Sequence, residues 1–149
     1  MNRFFSLRPF GFLVLAVGLL ALPQRASAQA RPHYARGTAQ FVSPTDFVGS
    51  GYATHLGLYS EVGSVAFTPT TDANVLRLDG RGIYTAADGA QLRATFTGRL
   101  NRATGAITAT VTYVGGTGRF TNATGVSSLV GQMLPNGTIT VAVNGSINY

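Results

Sequence analysis

Residues 80–113 read GRGIYTAADGAQLRATFTGRLNRATGAITATVTY, and this stretch decides the fold class. Apolar and polar side chains alternate along it: Leu92, Ala94 and Phe96 fall on one face, and arginines and threonines fall on the other. A period of two is typical of antiparallel strands with one buried face. Threonine, valine and the aromatic residues also suit a pleated surface. The stretch therefore predicts three consecutive β-strands.

Two loops set the register of these strands. Ala87-Asp88-Gly89 fits a three-residue hairpin loop with glycine in the left-handed position, whereas a two-residue turn would mix the polar and apolar faces. Arg102-Ala103-Thr104-Gly105 fits a four-residue loop. The opposed pairs that follow are Tyr84–Leu92, Gly82–Ala94, Gly80–Phe96, Leu100–Ile107, Phe96–Val111 and Ala94–Tyr113.

The alternation continues in both directions along the chain. Pro135-Asn136-Gly137 predicts another three-residue hairpin, and upstream strands are predicted at 38–42, 52–58 and 60–68. This hairpin gives the pairs Met133–Ile139, Gly131–Val141 and Leu129–Val143. Seven or eight short strands joined by tight loops leave no room for helices. A curved meander of this length closes most economically into a barrel, which removes its edge strands. We therefore predict an all-β fold, a closed antiparallel up-and-down β-barrel of about eight strands.

The N-terminus of the 149-residue chain has the features of a secretory signal peptide. Arg3 and Arg8 precede the apolar run 10–22. Ala26-Ser27-Ala28 and Ala28-Gln29-Ala30 both fit a signal peptidase site, so the cut is expected after residue 28 or 30. We expect residues 1–28 to be the signal peptide, 29–46 an N-terminal leader with the first strand, and 47–149 the barrel domain. The predicted location is the periplasm or the outside of the cell. His33 is expected in a disordered part of the leader.

Composition excludes several classes of function. The 11 basic residues are all arginines, and there is no cysteine, which excludes disulfides, thiolate metal sites and a cysteine nucleophile. The arginines are scattered among threonines without interleaved aromatic residues, so no nucleic-acid partner is expected. One histidine outside the leader and five scattered carboxylates predict no metal, and no cofactor is expected. No Gly-x-Ser-x-Gly elbow is present, so the sequence does not indicate a serine hydrolase.

One glycine-rich string stands out. Gly115-Gly116-Thr117-Gly118-Arg119-Phe120, followed by Gly125, predicts a strand that leaves the sheet through a turn with several positive φ angles. Phe120 is expected to anchor this turn, and Arg119 to bind exposed carbonyls or a neighbouring subunit. A phosphate-binding loop is not indicated, because no lysine follows and no helical pattern begins there.

This string resembles the GGTG(R/K)F…A.G signature of the allene oxide cyclase and dirigent protein barrel superfamily, and is most similar to that of its small bacterial members. Residues 53–57, Ala-Thr-His-Leu-Gly, and the hairpin at 87–92 also resemble segments of that group, and the likeness spans 47–149. The resemblance implies an eight-stranded, calycin-like barrel with an apolar cavity, assembled as a homodimer or homotrimer. It also implies steering of the cyclisation or coupling of apolar substrates. No counterpart of the family's catalytic acids is recognisable in this chain, so the catalytic residues are unknown.

The apolar face of the predicted strands supplies the candidate cavity. Glycines at 80, 82, 98 and 131 reduce the volume that side chains fill, which favours an open lumen, and Tyr84 and Tyr113 would be its polar groups. His55 is a candidate acid or base near the barrel mouth, although a residue that braces a strand end is the favoured interpretation. The candidate ligand-binding residues are Tyr84, Phe96, Val111, Tyr113, Leu129, Met133 and His55.

Three functional hypotheses follow. The leading one is an exported barrel that binds a small apolar molecule, with cyclase or isomerase activity that works by holding a folded conformer. The second is an outer-membrane barrel, because alternation alone does not say which face is inside. The third is a fully packed structural or interaction module. We expect a small apolar ligand as partner and no insertion into the membrane.

Overall fold

The computed structural model describes residues 29–149, and these form a closed antiparallel barrel of eight strands. The strands are β1 Arg31–Phe41, β2 Asp46–Ala53, β3 Gly57–Pro69, β4 Val75–Ala86, β5 Gln91–Asn101, β6 Ala106–Gly116, β7 Thr124–Met133 and β8 Thr138–Asn148. Each strand pairs with its neighbours in chain order, and β1 closes the barrel against β8. The predicted fold class is confirmed. The predicted signal peptide, residues 1–28, lies outside the described residues.

The predicted hairpins are present with the predicted registers. Every opposed pair expected between β4 and β5, β5 and β6, and β7 and β8 occurs in the sheet. At the β4–β5 loop, the Ala86 amide donates to the Ala90 carbonyl at 2.9 Å, and Gly89 has a φ of 84°. The alternating side chains and the loop glycines are therefore sufficient to fix the pairing over this part of the chain.

The N-terminal part of the barrel differs from the sequence prediction. The first strand begins at Arg31, upstream of the strand predicted at 38–42, and His33 lies in β1, which pairs with β8 over ten residue pairs. The predicted strand at 52–58 is wrong, because the chain turns at 54–56 and Gly57 has a φ of 68°. The alternation in β1 is weak because most of its inward positions carry histidine, alanine or glycine, and the large apolar Phe41 comes only at its end.

The glycine-rich string closes one end of the barrel. Gly115 and Gly118 have φ angles of 91° and 56°, as predicted, and a 3-10 helix at Gly118–Phe120 buries the Phe120 ring completely. We call residues 115–120 the plug. The Arg119 guanidinium donates to the His55 carbonyl at 3.0 Å and pairs with the Asp88 carboxylate. Arg119 thus ties the plug to the β2–β3 turn and the β4–β5 hairpin, which confirms its expected role at exposed carbonyls.

The apolar face of the strands points into the barrel. Two clusters of buried side chains fill the two ends, one around Phe120, Leu92 and Ile147 at the plug and the other around Phe47 and Leu78 at the opposite end. Phe96 and Leu129 contact both clusters and so mark the middle of the lumen. The lumen is therefore the hydrophobic core, and any ligand site inside it competes with side-chain packing.

The outer face carries the charged side chains. All arginines from Arg31 onward are exposed, and on β4 Arg77 forms an exposed ion pair with Asp79 at 2.8 Å. Such a pair contributes about 0–1 kcal/mol to stability. Among residues 29–149, no helix has the length and apolar character needed to cross a membrane.

We predict that Gly98→Ala destabilises the barrel by about 1–3 kcal/mol. A Cβ atom at Gly98 would lie 2.1 Å from the Thr108 carbonyl oxygen and 2.6 Å from the Ala109 Cβ, so β5 and β6 would have to separate. Urea unfolding measures the loss, and Thr97→Ala, at the neighbouring outward position, is the control. A variant as stable as the control would show that the two strands adjust without cost.

Candidate functional site

The lumen contains a cavity of about 100 Å³. It is lined almost entirely by apolar side chains, and the polar exceptions are His33, Tyr59, Glu61, Tyr84 and Tyr113. All the candidate ligand-binding residues that the sequence placed on the inward face line this cavity. They are Tyr84, Phe96, Val111, Tyr113, Leu129 and Met133.

The two ends of the cavity differ. The plug end is sealed, because Phe120 and Leu56 are buried there. At the other end the lining side chains of Phe41, Phe67 and Met133 are only partly buried. We call these three residues the mouth. A ligand that reaches the lumen by moving side chains rather than strands would pass through the mouth.

Glu61 is the acidic residue of the lumen. It lies on β3, is 8% exposed, and is paired with Tyr84 on β4. Glycines on the two neighbouring strands make room for its carboxyl group: a Cβ atom would lie 2.9 Å from Oε1 at Gly82 and 3.3 Å from Oε2 at Gly49. The glycine at position 82 therefore accommodates an acid rather than empty space.

Burial dominates the ionisation of this group. It raises the pKa of Glu61 from the ordinary 4.5 to about 7, while the hydrogen bond from Tyr84 acts in the opposite direction. Burial, followed by the nearby Glu61, likewise raises the pKa of Tyr59 and of Tyr84 above the usual value for tyrosine. Near neutral pH the carboxyl group can therefore accept or donate a proton, whereas the two hydroxyls stay protonated. These are the properties expected of a general acid or base.

Tyr113 supplies a second polar position. Its hydroxyl donates to the Ser127 hydroxyl at 3.0 Å, and burial raises the pKa of Tyr113 to about 12. The predicted polar groups Tyr84 and Tyr113 thus both face the cavity, and each already has a protein partner. A ligand that used either hydroxyl would share it with Glu61 or Ser127.

His33 lies between the lumen and the plug end. It is 2% exposed, its ring stacks on His55 with centroids 5.7 Å apart, and its Nδ1 atom has no hydrogen-bond partner. Burial, and secondarily His55, lowers the pKa of His33 from 6.5 to about 4. His33 is therefore neutral at physiological pH, and its unpaired nitrogen could bind water or a ligand.

His55 braces the start of β1 and does not line the cavity. Its Nε2 lies 2.8 Å from the Pro32 carbonyl oxygen, which can only accept, so Nε2 carries the proton. Nδ1 then accepts a hydrogen bond from the Tyr149 hydroxyl at 3.2 Å. The structure therefore places His55 in the bracing position that the sequence favoured.

Sequence reasoning missed Glu61 and His33. A signal for Glu61 was available, because it alternates in phase with Tyr59, Val65 and Phe67 along a strand that was predicted at 60–68. An acid on the inward face of a strand needs an explanation, since carboxylates are almost never buried without a partner. His33 carried no comparable signal, because β1 itself was not predicted that far upstream.

Neither a metal centre nor a cofactor site stands out in the part of the chain that the structure describes. No group of three histidine, cysteine, aspartate or glutamate side chains converges within residues 29–149. The chemistry that the lumen can offer is therefore that of one carboxyl group, three tyrosine hydroxyls and one imidazole in apolar surroundings.

Comparison with known proteins adds no assignment: no protein-family model matches the chain, and no curated protein matches it.

Proposed function

We propose that the protein is an exported small β-barrel that binds a small apolar molecule in its lumen. The observation that carries this proposal is the cavity of about 100 Å³, which has an apolar lining and a few polar groups at defined positions. Ligand sites in proteins have this composition, with polar groups that orient the ligand. Export rests on the sequence features of residues 1–28.

The size of the cavity limits the ligand. An engineered apolar cavity of about 150 Å³ binds benzene, so the lumen accommodates a compact group of a few carbon atoms. A longer ligand would extend past the partly exposed side chains of the mouth. We therefore expect the ligand to be compact, or to place one compact end inside the barrel.

Isomerase or cyclase chemistry is the activity that suits such a site. Glu61 could move a proton at neutral pH, and the apolar walls would hold one folded conformer of the substrate and exclude water. The similarity of residues 115–120 to the allene oxide cyclase and dirigent barrels points the same way. Reaction and substrate would follow from the shape of the lumen and from the position of this one acid.

The outer-membrane alternative requires the opposite orientation of the two faces. An outer-membrane barrel presents an apolar band to the lipid and keeps its polar face inside. Here the apolar face surrounds the lumen, and the arginines of β4 and β5 point outward. Charged side chains facing lipid would cost about 2–4 kcal/mol each at the centre of the bilayer, so this outer face does not suit a lipid environment.

An interaction module remains a second candidate because of the outer face of β2 and β3. Val48 lies opposite Val62, and Tyr52 lies opposite Leu58, and all four side chains are exposed. Exposed apolar residues in adjacent pairs favour association, and a homodimer or homotrimer would cover them. Such assembly is compatible with a ligand in the lumen.

Native mass spectrometry of the exported protein, purified without detergent, tests the proposal. We expect a species with extra mass that denaturation releases as a small apolar compound, or uptake of an added apolar probe at one site per chain. Assembly is read from the same spectrum. A protein that carries no extra mass and takes up no apolar probe would contradict lumen binding and favour the interaction module.

A further inference from the structure

The lumen contains an acid without a basic partner. Glu61 is the one acidic residue among those that line the described cavity, and no arginine lines it. The arginines between Arg31 and Arg119 are all exposed on the outside of the barrel, and the chain has no lysine. Buried carboxylates are normally paired with a cation or bound to a metal, so this one is an exception.

The groups around Glu61 do not provide the missing cation. Tyr84 faces it from β4, Tyr59 lies beside it on β3, and β2 contributes only Gly49. Farther along the lumen, Tyr113 on β6 and His33 on β1 are the other titratable groups. Burial keeps His33 neutral at neutral pH, because its pKa is lowered to about 4. Every titratable neighbour is thus neutral when Glu61 ionises.

We propose that the lumen selects small apolar amines, whose ammonium group pairs with the Glu61 carboxylate, over carboxylates with the same carbon skeleton. This inference rests on the proposed function, since it assigns the chemical class of the lumen ligand. An ammonium group would stabilise the ionised carboxylate through a charge-assisted hydrogen bond in surroundings of low polarity. An anionic head group would instead place a second negative charge beside Glu61, with no cation to offset it.

Ionisation of Glu61 makes the selection depend on pH. A carboxyl group with a pKa of about 7 is about one-tenth ionised at pH 6 and about nine-tenths ionised at pH 8. An aliphatic amine stays protonated over this range. The affinity for an amine should therefore rise about tenfold from pH 6 to pH 8.

Cyclopentylamine, cyclopentanol and cyclopentanecarboxylate form a matched set of probes for NMR titration of the purified, isotope-labelled chain. At pH 8 we expect the amine to bind at least about tenfold more tightly than the carboxylate, which corresponds to one bound charge pair. Glu61→Gln, which keeps the shape of the side chain, should weaken amine binding at least about tenfold and abolish its pH dependence. The ratio of amine affinity to cyclopentanol affinity should fall at least about tenfold in the same variant. The dispersion of the amide spectrum verifies that this variant is folded.

Each pattern of binding has a distinct meaning. Equal or tighter binding of the carboxylate, or amine binding that is indifferent to Glu61→Gln, would overturn the proposal while lumen binding stands. If cyclopentanol binds but the amine binds no better than the carboxylate, the amine selection is wrong and the proposed function survives. If none of the three probes binds, the proposed function fails, and the selection fails with it.

Discussion

Replacing Phe120 with alanine is expected to lower the free energy of unfolding by about 3–5 kcal/mol. The Phe120 ring is completely buried, packs against Tyr149 with ring centroids 5.0 Å apart, and belongs to the plug-end cluster. Its removal would leave a cavity that the rigid closed barrel cannot collapse to fill. Urea unfolding, followed by circular dichroism, measures the loss.

Phe67→Ala at the mouth is the matched control for this prediction. Phe67 is also a phenylalanine of the lumen, but it is only partly buried. We expect Phe67→Ala to lower the free energy of unfolding by about 1–2 kcal/mol, because the Phe67 side chain removes less apolar area from water on folding. Equal losses in the two variants would mean that the plug does not close the barrel more tightly than the mouth does.

The second large effect is an opposite pH dependence of stability in Glu61→Gln and His33→Gln. The raised pKa of Glu61 contributes stability that is fully present below pH 4.5 and is lost as the pH rises through about 7. The lowered pKa of His33 contributes stability that is present above pH 6.5 and is lost as the pH falls through about 4. Each change in pKa corresponds to about 3 kcal/mol in the free energy of unfolding.

Between pH 4.5 and 6.5 in the wild-type protein, these two contributions change with pH in opposite directions, so their pH dependences cancel. The free energy of unfolding of Glu61→Gln should therefore rise by about 3 kcal/mol relative to that of the wild type as the pH rises from 4.5 to above 7. His33→Gln should gain a similar amount relative to the wild type as the pH falls from 6.5 to below 4. Urea unfolding of the three proteins at intervals from about pH 3 to about pH 8 gives these differences. Curves that stay parallel across the range would mean that neither group is perturbed by burial.

The fold could be predicted from the sequence wherever large apolar residues alternate with polar ones. Between β4 and β5, β5 and β6, and β7 and β8, the alternation and the loop glycines gave the correct pairs, because a shift by one position would turn every side chain to the wrong face. In β1 the inward residues before Phe41 are small or polar, and the place of this strand in the barrel is fixed by β2 and β8 rather than by its own pattern.

The site could be predicted only in part, for a different reason. The side chains that face the lumen follow from strand alternation, and those assignments agree with the structure. Whether a lumen is filled or open depends on how side chains pack across it. The Phe96 ring occupies the space above Gly80, where a Cβ atom would lie 2.4 Å from the ring, so this glycine makes room for an aromatic residue rather than for a ligand. The pairing of Gly80 with Phe96 on adjacent strands follows from the sequence, but the sequence does not say whether the Phe96 ring or a ligand takes the space that the glycine leaves.

The central claim, that the lumen is a ligand site, is tested most directly by blocking the lumen from within. Leu129 and Val130 are neighbours on β7, but Leu129 lines the cavity and Val130 is 57% exposed on the outside. In NMR titrations with cyclopentanol, we predict saturable shifts at lumen residues for the wild type and for Val130→Trp, and their loss in Leu129→Trp. Binding that survives Leu129→Trp unchanged, or that Val130→Trp abolishes equally, would contradict the account.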